Sequence, residues 1–176
     1  MKSFLRFLQM LALGGWTGAI VYFAAVVTVG AFAVLPNQDL AGAMVGYTIG
    51  GLHDFGIAAA VIYLVAAIVL GRSVAVFARP TSIGVILMLG LTLVSQRIVI
   101  PRMDALRAQM GSIAATAASS PLRAQFDRLH GISVDLEAAI LLIGIAALYL
   151  TVRETMAVKP AVIEIPVEPP PSKQST

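Results

Sequence analysis

Residues 121–153 read PLRAQFDRLHGISVDLEAAILLIGIAALYLTVR. Ser120 precedes Pro121, and a serine cap followed by proline at the first position is a helix start. After it the only weak points are Gly131 and Gly144. The stretch predicts one helix of about 33 residues, about 50 Å long at 1.5 Å per residue. Its second half, AILLIGIAALYL, is apolar on every face, as a membrane helix is. A bilayer core needs only about 30 Å. The first turns of this helix are therefore expected to stand in water. His130, Asp135 and Glu137 then fall where the chain enters lipid.

The rest of the chain agrees. Of 176 residues, 59% are hydrophobic and 12% charged, and the mean hydropathy of +0.91 leaves too little polar surface for a soluble domain. Three further apolar segments precede the last, at about Phe7–Leu35, Leu40–Leu70 and Ile83–Ile100. The first, behind Lys2 and Arg6, is about twice the length of a signal-peptide core and reads as an uncleaved helix. Leu35-Pro36-Asn37-Gln38-Asp39 is a turn. Thr81 or Ser82 is available to cap the third helix. Residues 102–118 are Ala-rich and favour helix. The fold class expected is all-α: an integral-membrane four-helix bundle over residues 1–154, with an extramembrane extension of helices three and four. A disordered proline-rich tail is expected over 155–176.

Charge reports orientation. With four crossings, Lys2, Arg6, Arg72, Arg79, Arg153, Lys159 and Lys173 share one side; Arg97, Arg102, Arg107, Arg123 and Arg128 share the other. Seven against five places both termini in the cytoplasm, in a cell-membrane protein. The net charge of +3 gives no case for nucleic acid. No cysteine is present, which removes disulfides and thiolate chemistry. There is no P-loop, dinucleotide fingerprint or H-E-x-x-H. The partner expected is the bilayer; a homo-oligomer is compatible with the small-residue stripes.

Depth brings the membrane charges together. Counted from the cytoplasmic helix ends, Asp54 lies about 24 Å in, Arg97 about 21 Å, Glu137 about 23 Å and Asp135 about 26 Å. Gly42, Gly46, Gly50, Asp54 and Ala58 form a small-residue stripe, so Asp54 is expected against a neighbouring helix. His130, Ser133 and Glu137 share one helical face, with Glu137 inward and Asp135 turned away. Pro101 cannot give the carbonyl of Arg97 its helical partner, which predicts a kink. The polar layer expected is Asp54, Arg97, Glu137 and His130, with His53 in reserve, and Arg97 as partner of Glu137 or Asp54. Intramembrane charges are functional candidates by default. A buried pair can equally hold helices in register without any activity.

Phe126-Asp127-Arg128-Leu129-His130-Gly131-Ile132-Ser133 resembles the F-x-R-x-H-G-[LI]-S signature of the transmembrane protein 205-like family, domain of unknown function 4149. Arg97-Ile98-Val99-Ile100-Pro101-Arg102 resembles its R-x-x-x-P-R element. The resemblance spans about Leu5 to Arg153. It carries over Arg97, Pro101, His130, Gly131 and Ser133, and implies a multi-pass membrane protein with no established biochemical activity. The leading expectation is accordingly a non-enzymatic membrane protein of unknown molecular role and no cofactor. The alternatives are a small-solute or proton-coupled transporter using the same carboxylates, and a haem- or copper-binding redox protein in which His53 and His130 converge.

Overall fold

The computed structural model describes residues 1–156. Four long helices are present: α1 (Lys2–Val34), α2 (Gln38–Gly71), α3 (Pro80–Met110) and α4 (Pro121–Met156). All four are long and apolar enough to cross a membrane. The proline-rich tail expected from Thr155 lies, past Met156, outside the described residues.

The helix ends follow local chemistry. Asn37 caps α2 by accepting from the Leu40 amide at 2.9 Å. Arg72 closes that helix in the left-handed conformation (φ 52°), which costs a non-glycine residue strain. Gly71 must be glycine because a side chain there would run into Val76 of the 3-10 turn Val74–Ala78. Helix α3 opens with Pro80 at its first turn and no side-chain cap. The expected caps Thr81 and Ser82 instead lie buried inside the first turn, and the Thr81 hydroxyl donates to Glu154 at 3.4 Å.

The third helix does continue past Pro101, through a π turn over Ser95–Val99. There the Ile100 amide bonds the Ser95 carbonyl, five residues back. The wider turn is the local answer to a proline that has no amide to give. The helix stops at Met110, short of the Ala-rich run to Ala118. Gly111 takes φ 69° and breaks it, and helix propensity is too weak to override such a terminus.

Each helix packs on its sequence neighbours, and α4 closes against α1, giving an up-down-up-down bundle. The core is made by Leu13, Trp16 and Ile20 of α1, Ala60 and Tyr63 of α2, Val85 and Met88 of α3, and Ile140 of α4. Close approach rests on two glycines. A side chain on Gly56 would overlap the Trp16 indole. One on Gly144 would meet the Thr17 hydroxyl at 2.7 Å and Met88 at 3.1 Å. The outside is as apolar as the inside: Leu142 and Tyr149 are more than 60% exposed. In water that surface would aggregate; in lipid it is matched to its solvent.

Candidate functional site

One bond crosses the bundle. His53 on α2 and Glu137 on α4 stand on opposite corners, yet His53 Nε2 and Glu137 Oε1 are 2.6 Å apart. His53 is 1% exposed, and the Glu137 side chain 14%. At 2.6 Å the contact is a short hydrogen bond, in which the imidazole N–H donates to a carboxylate or a carboxyl O–H donates to the imidazole. The other ring nitrogen, Nδ1, is buried with no hydrogen-bond partner among the described residues.

Two buried hydroxyls accompany it. Elsewhere in the bundle Thr17, Thr48 and Thr151 donate to the carbonyl four residues back, at 2.8, 2.9 and 2.8 Å. That is the ordinary resting state of a hydroxyl in a membrane helix. Thr92 Oγ1 and Ser95 Oγ on α3 are both fully buried and make no such bond. Their height is fixed by a neighbour: Gln96 Nε2 donates to Asp54 Oδ1 at 2.7 Å, which sets Ser95 level with His53. Ser133, also buried, lies one turn from Glu137 on α4. Buried polar atoms are normally satisfied, and four without a partner among the described residues, His53 Nδ1, Thr92 Oγ1, Ser95 Oγ and Gln96 Oε1, mark the interior of this layer.

The sequence-derived candidates separate. Glu137 points inward, as expected. His53, held in reserve, is at the centre. Asp54 is exposed and bonded to Gln96. It also borders a lateral groove of about 700 Å³ with Tyr22, Phe23, Tyr47, Gly50 and Phe55, between α1 and α2. Arg97 is exposed and makes no hydrogen bond or ion pair among the described residues. The expected pairing of Arg97 with Glu137 or Asp54 is thus replaced by His53–Glu137 and Gln96–Asp54. Helical phase is the cause: Val85, Met88, Thr92, Ser95 and Val99, spaced three and four apart, hold the inner face, so Arg97, two residues past Ser95, points outward.

His130 is also outside. It stands two turns above Glu137, about 10 Å along α4, exposed and stacked on Phe126 with ring centres 6.3 Å apart. His53 and His130 do not converge, so the ligand pair of a bis-histidine haem is not assembled. Among the described residues no three His, Asp or Glu side chains cluster as a metal site would need.

Sequence reading missed the seat of Arg107. Its guanidinium lies over Gly42 and Gly46, where an added Cβ would come within 3.7 and 3.3 Å, and it donates to the Gly42 carbonyl at 3.4 Å. It also stands 5.7 Å from the centre of the Phe126 ring. The stripe at Gly42 and Gly46 therefore accommodates an arginine rather than a helix backbone. Above it, Asp39 accepts from the Ser112 hydroxyl at 2.6 Å and the Ile113 amide at 2.9 Å. Asp39 stands in the first turn of α2, about 22 Å above Asp54 and outside the hydrocarbon. The Ser112 bond, then the Ile113 and Ala114 amides and the Arg107 charge, hold its carboxyl below the ordinary value, against partial burial that pushes it up.

Four apolar helices around a buried polar pair define a multi-pass membrane protein. A family described as domain of unknown function (DUF4149) matches residues 11–112, and the chain belongs to that family. The matched span takes in His53, Asp54, Arg97 and Pro101; the motif around His130 and Glu137 itself lie beyond it. No curated protein and no solved structure matches the chain.

Proposed function

We propose that this membrane protein binds and releases a proton at His53–Glu137, and that this event is coupled to passage of a small solute through the bundle. The observation that carries the reading is the short His53–Glu137 bond across a lipid-embedded core. Imidazole is the side chain suited to proton exchange near neutrality. Ser95, Thr92 and Ser133 supply hydroxyls that can pass a proton or hold a polar solute on either side of the pair. The excess of Lys and Arg supports both termini lying in the cytoplasm.

The test is proton flux in vesicles containing a trapped pH indicator, driven by a potassium diffusion potential. The wild-type chain should acidify the lumen faster than protein-free vesicles. Glu137→Gln, which keeps shape and a hydrogen bond but cannot exchange a proton, should fall to the protein-free rate. Flux equal in wild type and Glu137→Gln refutes the reading.

A second reading has its own support in the same bond, because it ties opposite corners of the bundle. On that reading the pair is a lock that fixes α2 and α4 in register. Wild-type vesicles would then be proton-tight, and Glu137→Gln would lower stability alone.

A further inference from the structure

The outer ends of α3 and α4 hold a second, separate feature. A cleft of about 520 Å³ between them is lined by Arg102, Gln109, Gln125, Arg128, Leu129 and Ile132, among others. Both arginines are exposed. Their neighbours are neutralised: Arg107 reaches Asp104 at 3.5 Å, and Arg123 reaches Asp127 at 2.9 Å. Arg102 and Arg128 make no ion pair or hydrogen bond among the described residues. The fold has used the nearby carboxylates elsewhere and left two guanidinium groups on one cleft.

Height says what meets them. From Ile83, Arg102 lies about 29 Å along α3; from Val152, Arg128 lies about 36 Å along α4. A hydrocarbon core about 30 Å thick puts Arg102 at its edge and Arg128 in the headgroup layer. Leu129 and Ile132 form an apolar wall at the level where acyl chains begin. Gln109 and Gln125 add amide donors above. A guanidinium presents a planar fork that fits phosphate oxygens two at a time. Two such groups with no carboxylate opposite favour a headgroup that is negative overall over a zwitterion whose amine offsets the phosphate.

We infer that this cleft binds the headgroup of an anionic phospholipid, with Arg102 and Arg128 on the phosphate and the acyl chains against Leu129 and Ile132. This is independent of the proton reading: the cleft shares no residue with the buried pair.

The experiment is native mass spectrometry of the full chain in mild detergent, with phosphatidylglycerol and phosphatidylcholine of identical acyl chains in competition. Wild-type protein should retain phosphatidylglycerol several-fold over phosphatidylcholine. The double variant Arg102→Gln with Arg128→Gln should lose that preference, while Arg6→Gln with Arg153→Gln, at the opposite membrane face, should keep it. Arg102→Lys with Arg128→Lys, which keeps the charge and loses the fork, should retain part of it. That variant and single Arg128→Gln decide the matter if the double glutamine variant fails to fold. Millimolar inorganic phosphate should leave the lipid adduct in place. Equal retention of the two lipids by wild type overturns the inference. So does a preference that survives removal of both arginines or is abolished by free phosphate.

Discussion

Replacing both members of the cross-bundle pair by leucine should harm the protein less than replacing either one. Glu137→Leu leaves His53, 1% exposed, with neither ring nitrogen bonded. An orphaned buried polar group of that kind costs about 1–3 kcal/mol. His53→Leu leaves the Glu137 carboxyl without its 2.6 Å partner. At 14% exposure it reaches little water, so its cost falls in the same range of about 1–3 kcal/mol. Were the two effects independent, the double variant would lose the sum, about 2–6 kcal/mol. But with both polar groups gone nothing is orphaned, and the leucines fill apolar space. The double variant should then lie within about 1 kcal/mol of wild type. The coupling expected, the sum of the singles less the double variant, is thus about 1–6 kcal/mol. Denaturant unfolding in detergent reads it directly, with the fluorescence of the single tryptophan, Trp16, as signal. A double variant as unstable as the sum of the singles would show that His53 and Glu137 do not interact, and both readings of the pair would fall together.

Gly56→Ala tests the helix contact below. In a free helix this change gains about 0.5–1 kcal/mol, but the added methyl overlaps the Trp16 indole, and overpacking costs about 1–3 kcal/mol. Net destabilisation with an altered Trp16 spectrum is expected; a stabilised protein would mean the indole is not seated on Gly56. Asp39 predicts an acid transition in the 111–120 connection. Its carboxyl is held below its ordinary value near 3.8, so its anchoring is complete above that value and is lost as pH falls through the lowered one. A spin label at Ala114→Cys, in a chain with no other cysteine, should be immobile at neutral pH and freed in acid, whereas Asp39→Asn should free it at neutral pH as well; equal mobility in both proteins at neutrality would discount the anchor.

Helix number and most helix ends were readable because they rest on local chemistry. Ser120-Pro121 starts α4 and Asn37 caps α2 whatever the rest of the chain does. Depth was readable too, since rise per residue is fixed, and counting from helix ends set Asp54 and Glu137 at one level. Rotation was not. In an almost wholly apolar helix nothing marks the face of Val85, Met88, Thr92, Ser95 and Val99 as the inner one, and Pro101 announces a disturbed ladder without saying whether it kinks, breaks or widens. Arg97 therefore looked like the natural partner for Glu137 by charge and height while standing on the wrong side of its helix. His53 was undervalued for the opposite reason: a lone histidine carries no pattern until the corner facing it is known. The Ala-rich run after Met110 misled because propensity adds up slowly along a helix, whereas Gly111 ends it in one residue.

The widened turn at Ser95–Val99 also takes up one residue without turning the two halves of α3 against each other. Thr92, Ser95, Val99 and Leu106 stay buried across it. Deleting one residue inside the turn would return the backbone to an ordinary ladder and leave Thr92 and the arginine cleft facing as they do. Deleting one from the ordinary turns on either side would swing every side chain beyond it by about 100°. The third helix thus carries its slack at one place: a spare residue in the shaft that can be lost there and nowhere else.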